Sequence, residues 1–388
     1  MMPTLRWPRL TFWQWVFWLV MAGGLYATVV RVAYGLGGST NLSDNFPWGL
    51  WIGFDILCGV GLAAGGFTLA AIVHIFNIER YKPILRATIL TAFLGYLLVI
   101  VALLFDLGRP YRIWHALIMW NPRSVMFEVA WCVMLYTTVL ALEFVPVVFE
   151  RFGWQRPLRW MRAVAVPLVM AGVILSTLHQ SSLGSLYLIV PNKLYPLWYS
   201  PLLPLFFFLS ALCVGFAMTI FESWHSSRAF GKQLELPLLA SMGRVLAVLL
   251  SVYLLVRFAD LRHRGALALL QEARTETYLF GLEILLMAVP VLLLFRRHVR
   301  ASPTALYACA VMVIFGFIAN RLNVSITGME AAAGLTYIPR WTEVMVTLAI
   351  IALGFAIFRF AAKYLPIFEE EKAAAPQATA SLAAAAGD

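Results

Sequence analysis

Ten apolar segments, each near twenty residues long, follow one another along this 388-residue chain with short polar turns between them. A run of that length is what an α-helix needs to cross the hydrocarbon core of a bilayer, and a helix satisfies its own backbone amides there. Barrel strands would be about half as long and would alternate apolar with polar residues. The sequence therefore predicts an all-α fold, a polytopic membrane bundle of about ten helices. The spans fall at roughly 12–34, 48–76, 84–105, 124–148, 161–182, 202–222, 236–258, 277–296, 303–321 and 341–365. A chain with 62% hydrophobic and 12% charged residues, and a mean hydropathy of +0.83, is excluded from the soluble globular class.

The domain expectation is one membrane domain over 1–371 and a disordered Ala-rich tail over 372–388 with no apolar face to bury. No short sequence repeat is evident. Arg6 and Arg9 ahead of the apolar run from Phe12 look like a signal sequence. The run is too long and lacks a small-residue cleavage site, so it reads as an uncleaved first helix.

Ten crossings put both termini on one side, and the basic residues choose that side. Arg6, Arg9, Arg80, Lys82, Arg86, Arg151, Arg156, Arg159, Arg162, Arg228, Lys232, Arg244, Arg296, Arg297, Arg300, Arg359, Lys363 and Lys372 share the terminus side, a majority of the 29. The positive-inside rule then makes both termini cytoplasmic, in a bacterial inner membrane. The net charge of +10 sets orientation and is no nucleic-acid footprint. The basic residues of the opposite side concentrate at 106–123 (Arg109, Arg112, Arg123) and 257–274 (Arg257, Arg262, Arg264, Arg274), where they read as a docking surface, a site or ordinary loop charge.

Ionisable groups in hydrocarbon cost several kcal/mol (about 2.5–3.5 on insertion scales), so those retained in the spans need a reason. Asp55 in span 2, Asp106 and Arg109 closing span 3, Glu128 in span 4 and His179 ending span 5 are all expected near the outer end of their spans. Packed together, they would form a polar pocket suited to quinone/quinol exchange. That chemistry needs a hydrogen-bond partner at each carbonyl and groups that exchange two protons; a His and a carboxylate supply both. Glu128 and His179 are the candidate catalytic pair. A structural Asp106–Arg109 pair and a satisfied core histidine are the plainer alternative.

A second group, His74, Glu143 and Glu222, lies toward the cytoplasmic ends and is a candidate proton path. Fifteen residues separate Glu128 from Glu143 on one helix, a rise of about 22 Å. Glu283 in span 8 stands apart. The cysteines (Cys58, Cys132, Cys213, Cys309) are isolated within spans, so no iron–sulfur cluster, zinc or other metal site is expected in this chain. The six histidines do not fall as same-depth pairs on facing helices, which argues against haem.

The segment Asn45-Phe46-Pro47-Trp48-Gly49-Leu50-Trp51-Ile52-Gly53-Phe54-Asp55 resembles the opening of span 2 in the NrfD/PsrC-type quinone-interacting membrane subunits. Asp106-Leu107-Gly108-Arg109-Pro110 and Asn121-Pro122-Arg123-Ser124 are similar to that family's outer loop. Leu178-His179-Gln180-Ser181-Ser182-Leu183-Gly184-Ser185-Leu186 and Phe221-Glu222-Ser223 look like its HybB branch, the membrane subunit of hydrogenase-2-type [NiFe] hydrogenases. The resemblance runs over all ten spans. It implies a subunit with no redox centre of its own, which takes electrons from a periplasmic ferredoxin-like iron–sulfur subunit. Behind that subunit would stand the [NiFe] hydrogenase small and large subunits. The electrons would reach a quinone, menaquinone or ubiquinone, in anaerobic respiration, with proton transfer across the membrane as an open question. The implied quinone-site residues are Asp55, Asp106, Glu128 and His179, and Tyr96 in mid-span 3 would belong to the quinone site, the proton path or the core. Related branches serve molybdenum enzymes. A secondary transporter, with helices broken near the midplane in paired halves, and a passive anchor are the rival readings.

Overall fold

The computed structural model describes residues 11–231 and 233–368. Among the orienting charges Arg6, Arg9, Lys232 and Lys372, together with the segment 372–388, lie outside the described residues. Among the described residues ten helices are long and apolar enough to cross a membrane: Phe12–Ser39, Trp51–Ile75, Glu79–Asp106, Val125–Phe152, Ala165–Leu188, Leu203–Phe230, Leu236–His263, Thr275–Leu294, Pro303–Ala333 and Trp341–Tyr364. We number them spans 1 to 10. The chain is a multi-pass integral membrane protein, and the apolar pattern located every span.

Their ends follow local chemistry. Thr11 caps span 1 and Gln14 returns a bond to the Thr11 amide. Proline stands in the first turn of spans 3, 6, 7 and 9, where no amide is needed. Gly153 and Gly231 close spans 4 and 6 in the left-handed conformation that glycine adopts without strain.

Two boundaries depart from expectation. Span 5 does not stop near 182 but runs to Leu188. The hydroxyls of Ser181, Ser182 and Ser185 bond back to the carbonyls of Thr177, Leu178 and Ser181, so a polar stretch continues the helix. His179 therefore lies inside the span and not at its end. Span 9 extends to Ala333 through a π-helical turn at Asn323–Thr327, and span 2 carries π-helical turns at Trp51–Ile56 and Ala71–Ile75. Such turns often mark functional positions.

Packing repeats although the residues do not. Spans 2, 3, 4 and 5 each contact the next, and span 5 closes on span 2; spans 6, 7, 8 and 9 do the same. The two four-helix halves meet where spans 2 and 5 pack on span 6 and span 2 touches span 9. Spans 1 and 10 pack against each other, and span 10 lies on span 3.

Candidate functional site

Spans 2 to 5 converge on a set of buried polar atoms. His179 on span 5 is fully buried, and both of its ring nitrogens lack a hydrogen-bond partner. Its ring stands 5.7 Å from the ring of Tyr96 on span 3, which meets Tyr136 of span 4 edge-on at 4.7 Å. The Tyr96 hydroxyl lies beside Ser176 and Gln180, and that of Tyr136 beside Ser176, without closing hydrogen bonds of good geometry. Gln180 donates to the Val60 carbonyl of span 2 at 3.1 Å, and its own side-chain oxygen is unpartnered. The hydroxyls of Tyr96, Tyr136 and Ser176, both nitrogens of His179 and the oxygen of Gln180 thus form one unsatisfied constellation. A buried polar atom without a partner costs about 1–3 kcal/mol, which makes the cluster a candidate site for the polar groups of a ligand.

Glu128 is tied to span 5 one turn from this cluster. It is exposed, and it accepts a 2.6 Å bond from Ser182, one turn beyond His179 on span 5. Glu143 lies on the other side. Gly172 leaves the space it occupies: a Cβ there would sit 3.3 Å from the Glu143 carboxylate and 3.6 Å from the Tyr136 ring. From Glu128 to Glu143 the polar groups thus run along spans 3, 4 and 5.

The other expected members are placed elsewhere. Asp55 is buried and accepts from Thr347 of span 10 at 2.8 Å. Asp106 does not pair with Arg109, which is exposed. Its nearby charges are Arg31 of span 1 and Glu343 of span 10. Arg31 donates to the carbonyls of Phe105 and Leu107, both at 2.7 Å, and so covers the end of span 3. Glu343 accepts from the Asn41 amide and from the Tyr337 hydroxyl. The single pocket expected from depth alone is two groups: one on spans 2 to 5, the other where spans 1 and 10 cover spans 2 and 3.

Glu222 accepts from Ser226 at 2.9 Å and lines a small cavity with Thr88, Thr91 and Thr219. Its second oxygen is buried and unpartnered. His74, half-buried in the π-helical turn ending span 2, bonds to neither acid among the described residues. Glu143, Glu222 and His74 therefore form no continuous hydrogen-bonded chain among the described atoms.

Glu283 anchors a separate network in the second half. It pairs with Arg257 at 2.8 Å and accepts from Trp198, Asn320 and Asn323 at 2.9, 2.9 and 3.0 Å. Arg321 beside it bonds Asn320, Ser210 and the Phe207 carbonyl. Arg257 is 5% exposed, so it is no docking charge. This half repeats the first in packing, yet the carboxylate of Glu283 is saturated where the first half leaves its atoms free.

Haem does not fit these residues as a bis-histidine ligand set. Spans 2 and 5 pack together, but His74 is near the end of span 2 and His179 lies fourteen residues into span 5. About 20 Å of helix rise separates their levels. His115 meets Trp114 edge-on in a loop helix, and His225 bonds Tyr307. Among the described residues no group of three or more His, Cys, Asp or Glu is placed to hold a metal ion.

Residues 38–333 match the family described as Polysulphide reductase, NrfD, which covers spans 2 to 9 and their connections. A protein of Nitratidesulfovibrio vulgaris is 36% identical over 363 residues, 91% of this chain and 93% of its own. The probable Ni/Fe-hydrogenase 2 b-type cytochrome subunit of Escherichia coli is 34% identical over 87% of this chain and 88% of its own. The integral membrane subunit of the menaquinone reductase of N. vulgaris is 29% identical over 94% and 93%. The unsatisfied constellation and the Glu283 network both lie within the matched span, whereas Arg31, Glu343 and Thr347 lie outside it. With the match running over both four-helix halves, the chain belongs to the NrfD family of oxidoreductase membrane subunits.

Proposed function

We propose that the chain is the quinone-reactive membrane subunit of a respiratory [NiFe] hydrogenase. The observation that carries the quinone reading is the constellation of buried unpartnered atoms at Tyr96, Tyr136, Ser176, His179 and Gln180, one helical turn from Ser182 and its bond to Glu128. A quinone head group brings two carbonyl acceptors; Tyr96, Tyr136 and the protonated nitrogen of His179 offer donors to them. The hydrogenase partnership is supported by similarity to the E. coli subunit over most of both chains.

In this reading both termini are cytoplasmic. A periplasmic ferredoxin-like iron–sulfur subunit docks on the outer face and delivers two electrons from the hydrogenase small and large subunits. Quinone takes those electrons and two protons to become quinol. His179 and Tyr96 hold the head group, and Glu128 relays a proton through Ser182. Glu143 and Glu222 supply protons from the cytoplasmic side if turnover conserves energy. Asp55, Asp106 and Arg109 then shape the outer end and do not touch the reacting ring. Residues 1–371 form the working domain.

A molybdenum-type partner is the second reading, favoured by the spread of enzymes among relatives, such as a selenate reductase subunit of Mesobacillus selenatarsenatis, 27% identical over 61% of each chain. Helices broken near the midplane, in paired halves, were the mark expected of a secondary transporter, and the halves here are paired in their packing. Here they support the NrfD reading, because the family match spans both. Hydrogen-dependent quinone reduction by membranes with and without the chain, beside a soluble dye acceptor, tests the proposal. Loss of quinone reduction with dye reduction retained supports it. Persistence of both removes the hydrogenase partnership.

A further inference from the structure

Between spans 4 and 5 lies a short helix, Gln155–Ala163, whose sides differ sharply in chemistry. Arg156, Arg159 and Arg162 fall within about 120° of its circumference, while Leu158 and Met161 occupy the other side. Leu158 is buried against the bundle. Trp160 is 78% exposed, and Phe152 and Trp154 just before the helix are exposed as well. Glu150 is the acid nearest in sequence, and it is already committed: it holds Arg162 at 3.0 Å and Arg86 of span 3 at 2.9 Å. Arg151, Arg156 and Arg159 are exposed and make no ion pair among the described residues.

The placement of this helix, joining two apolar spans, puts it at the level of the bilayer surface. A face toward bulk water would not expose three aromatic rings. A face in hydrocarbon would not expose three arginines. The headgroup layer accommodates both, the rings among glycerol and upper acyl carbons and the guanidinium groups on phosphates. Arginine forks match phosphate oxygens bidentately, which favours anionic headgroups over zwitterionic ones whose phosphate charge is compensated. Free phosphate would satisfy the arginines but leave the rings without a role.

We infer that the helix Gln155–Ala163 with Arg151, Phe152 and Trp154 is a binding site for anionic phospholipid headgroups. The Glu150 clasp makes the site relevant to the rest of the bundle. Through Arg86, Glu150 and Arg162 it ties span 3, span 4 and the entry to span 5, the helices that carry Tyr96, Tyr136 and His179. A headgroup seated here rests on that tie.

The test counts phospholipids retained by the purified full chain in mild detergent, by native mass spectrometry. Wild type is compared with R156Q/R159Q, with R156K/R159K, and with R112Q/R123Q, which removes equal charge from the opposite face. Wild type should retain phosphatidylglycerol or cardiolipin over phosphatidylethanolamine. R156Q/R159Q should lose on the order of tenfold in occupancy. R156K/R159K should retain most of it, and R112Q/R123Q should match wild type. Excess inorganic phosphate should not displace the lipid. Equal retention in R156Q/R159Q, equal loss in the R112Q/R123Q control, or displacement by inorganic phosphate overturns the inference. So does an unchanged lipid count together with loss of an acidic soluble protein from R156Q/R159Q membranes.

Discussion

The Ser182 hydroxyl donates to the Glu128 carboxylate at 2.6 Å, which joins span 4 to span 5 one helical turn from His179. The bond places an exposed acid one helical turn from a core in which both His179 nitrogens and the Tyr96, Tyr136 and Ser176 hydroxyls have no partners. Replacing Glu128 by Gln keeps an acceptor for Ser182 and removes the proton-carrying group. Glu128→Gln should therefore assemble normally and lose about 10²-fold or more of quinone-linked turnover, with dye-linked activity intact. Near-normal quinone turnover in that variant would remove Glu128 from the mechanism.

Both ring nitrogens of His179 are buried without a hydrogen-bond partner among the described residues. His179→Leu removes two buried unpartnered nitrogens. Its folded state should be as stable as wild type or more so, by about 1 kcal/mol, while quinone reduction is lost. Thermal unfolding in detergent, read beside activity, separates the two roles. A lowered melting temperature would show that His179 has a structural partner after all.

Glycine at 172 and 184 should respond differently to alanine. At Gly172 the new methyl meets the Val139 side chain at 3.2 Å and the Glu143 carboxylate at 3.3 Å, groups that can move. Gly172→Ala should fold, at a cost of about 1 kcal/mol, and slow any turnover that uses Glu143. At Gly184 the methyl would stand 2.5 Å from the Leu203 carbonyl oxygen, a backbone atom. Gly184→Ala should be destabilised by about 3 kcal/mol or more, read as poor yield of folded protein.

Glu283 and Arg257 form a buried pair remote in role from the constellation. Arg257→Met or Glu283→Leu alone should cost about 3–5 kcal/mol by stranding a buried charge. The double variant should recover part of that loss, giving a coupling of about 2 kcal/mol in a double-mutant cycle. Activity per folded molecule should be unchanged. A selective loss of quinone turnover without loss of stability would place Glu283 in the working machinery.

Hydrophobic runs and turn residues made every span readable in the sequence, because lipid leaves helices as the solution for long apolar segments. Position along the spans suggested one shared level for Asp55, Asp106, Glu128 and His179, with Tyr96 at mid-span; the structure gathers Tyr96 and His179 and ties Glu128 to Ser182. Helix azimuth was not readable. Asp55 and Asp106 share that depth but turn toward Arg31, Thr347 and Glu343, partners supplied by spans 1 and 10. Tyr136 and Ser176 escaped notice because an uncharged polar residue in an apolar run carries no obvious signal. The spacing of Ser176, His179 and Gln180 along one helix could have revealed them. Glu283 and Arg257 were visible singly but not as a pair, because the members of their network come from spans 7, 8 and 9 and the Trp198 loop.

Quinone is proposed to bind beside Tyr96, Tyr136, Ser176, His179 and Gln180. Photolabelling of the purified chain with an azido-quinone, followed by peptide mass spectrometry, tests it without any partner subunit. Label is expected on peptides of spans 3 and 5 around Tyr96 and His179, protected by excess unlabelled quinone and reduced in His179→Leu. Protectable label confined to spans 7 to 9 around Arg257 and Glu283, or none at all in protein that remains folded, would contradict it.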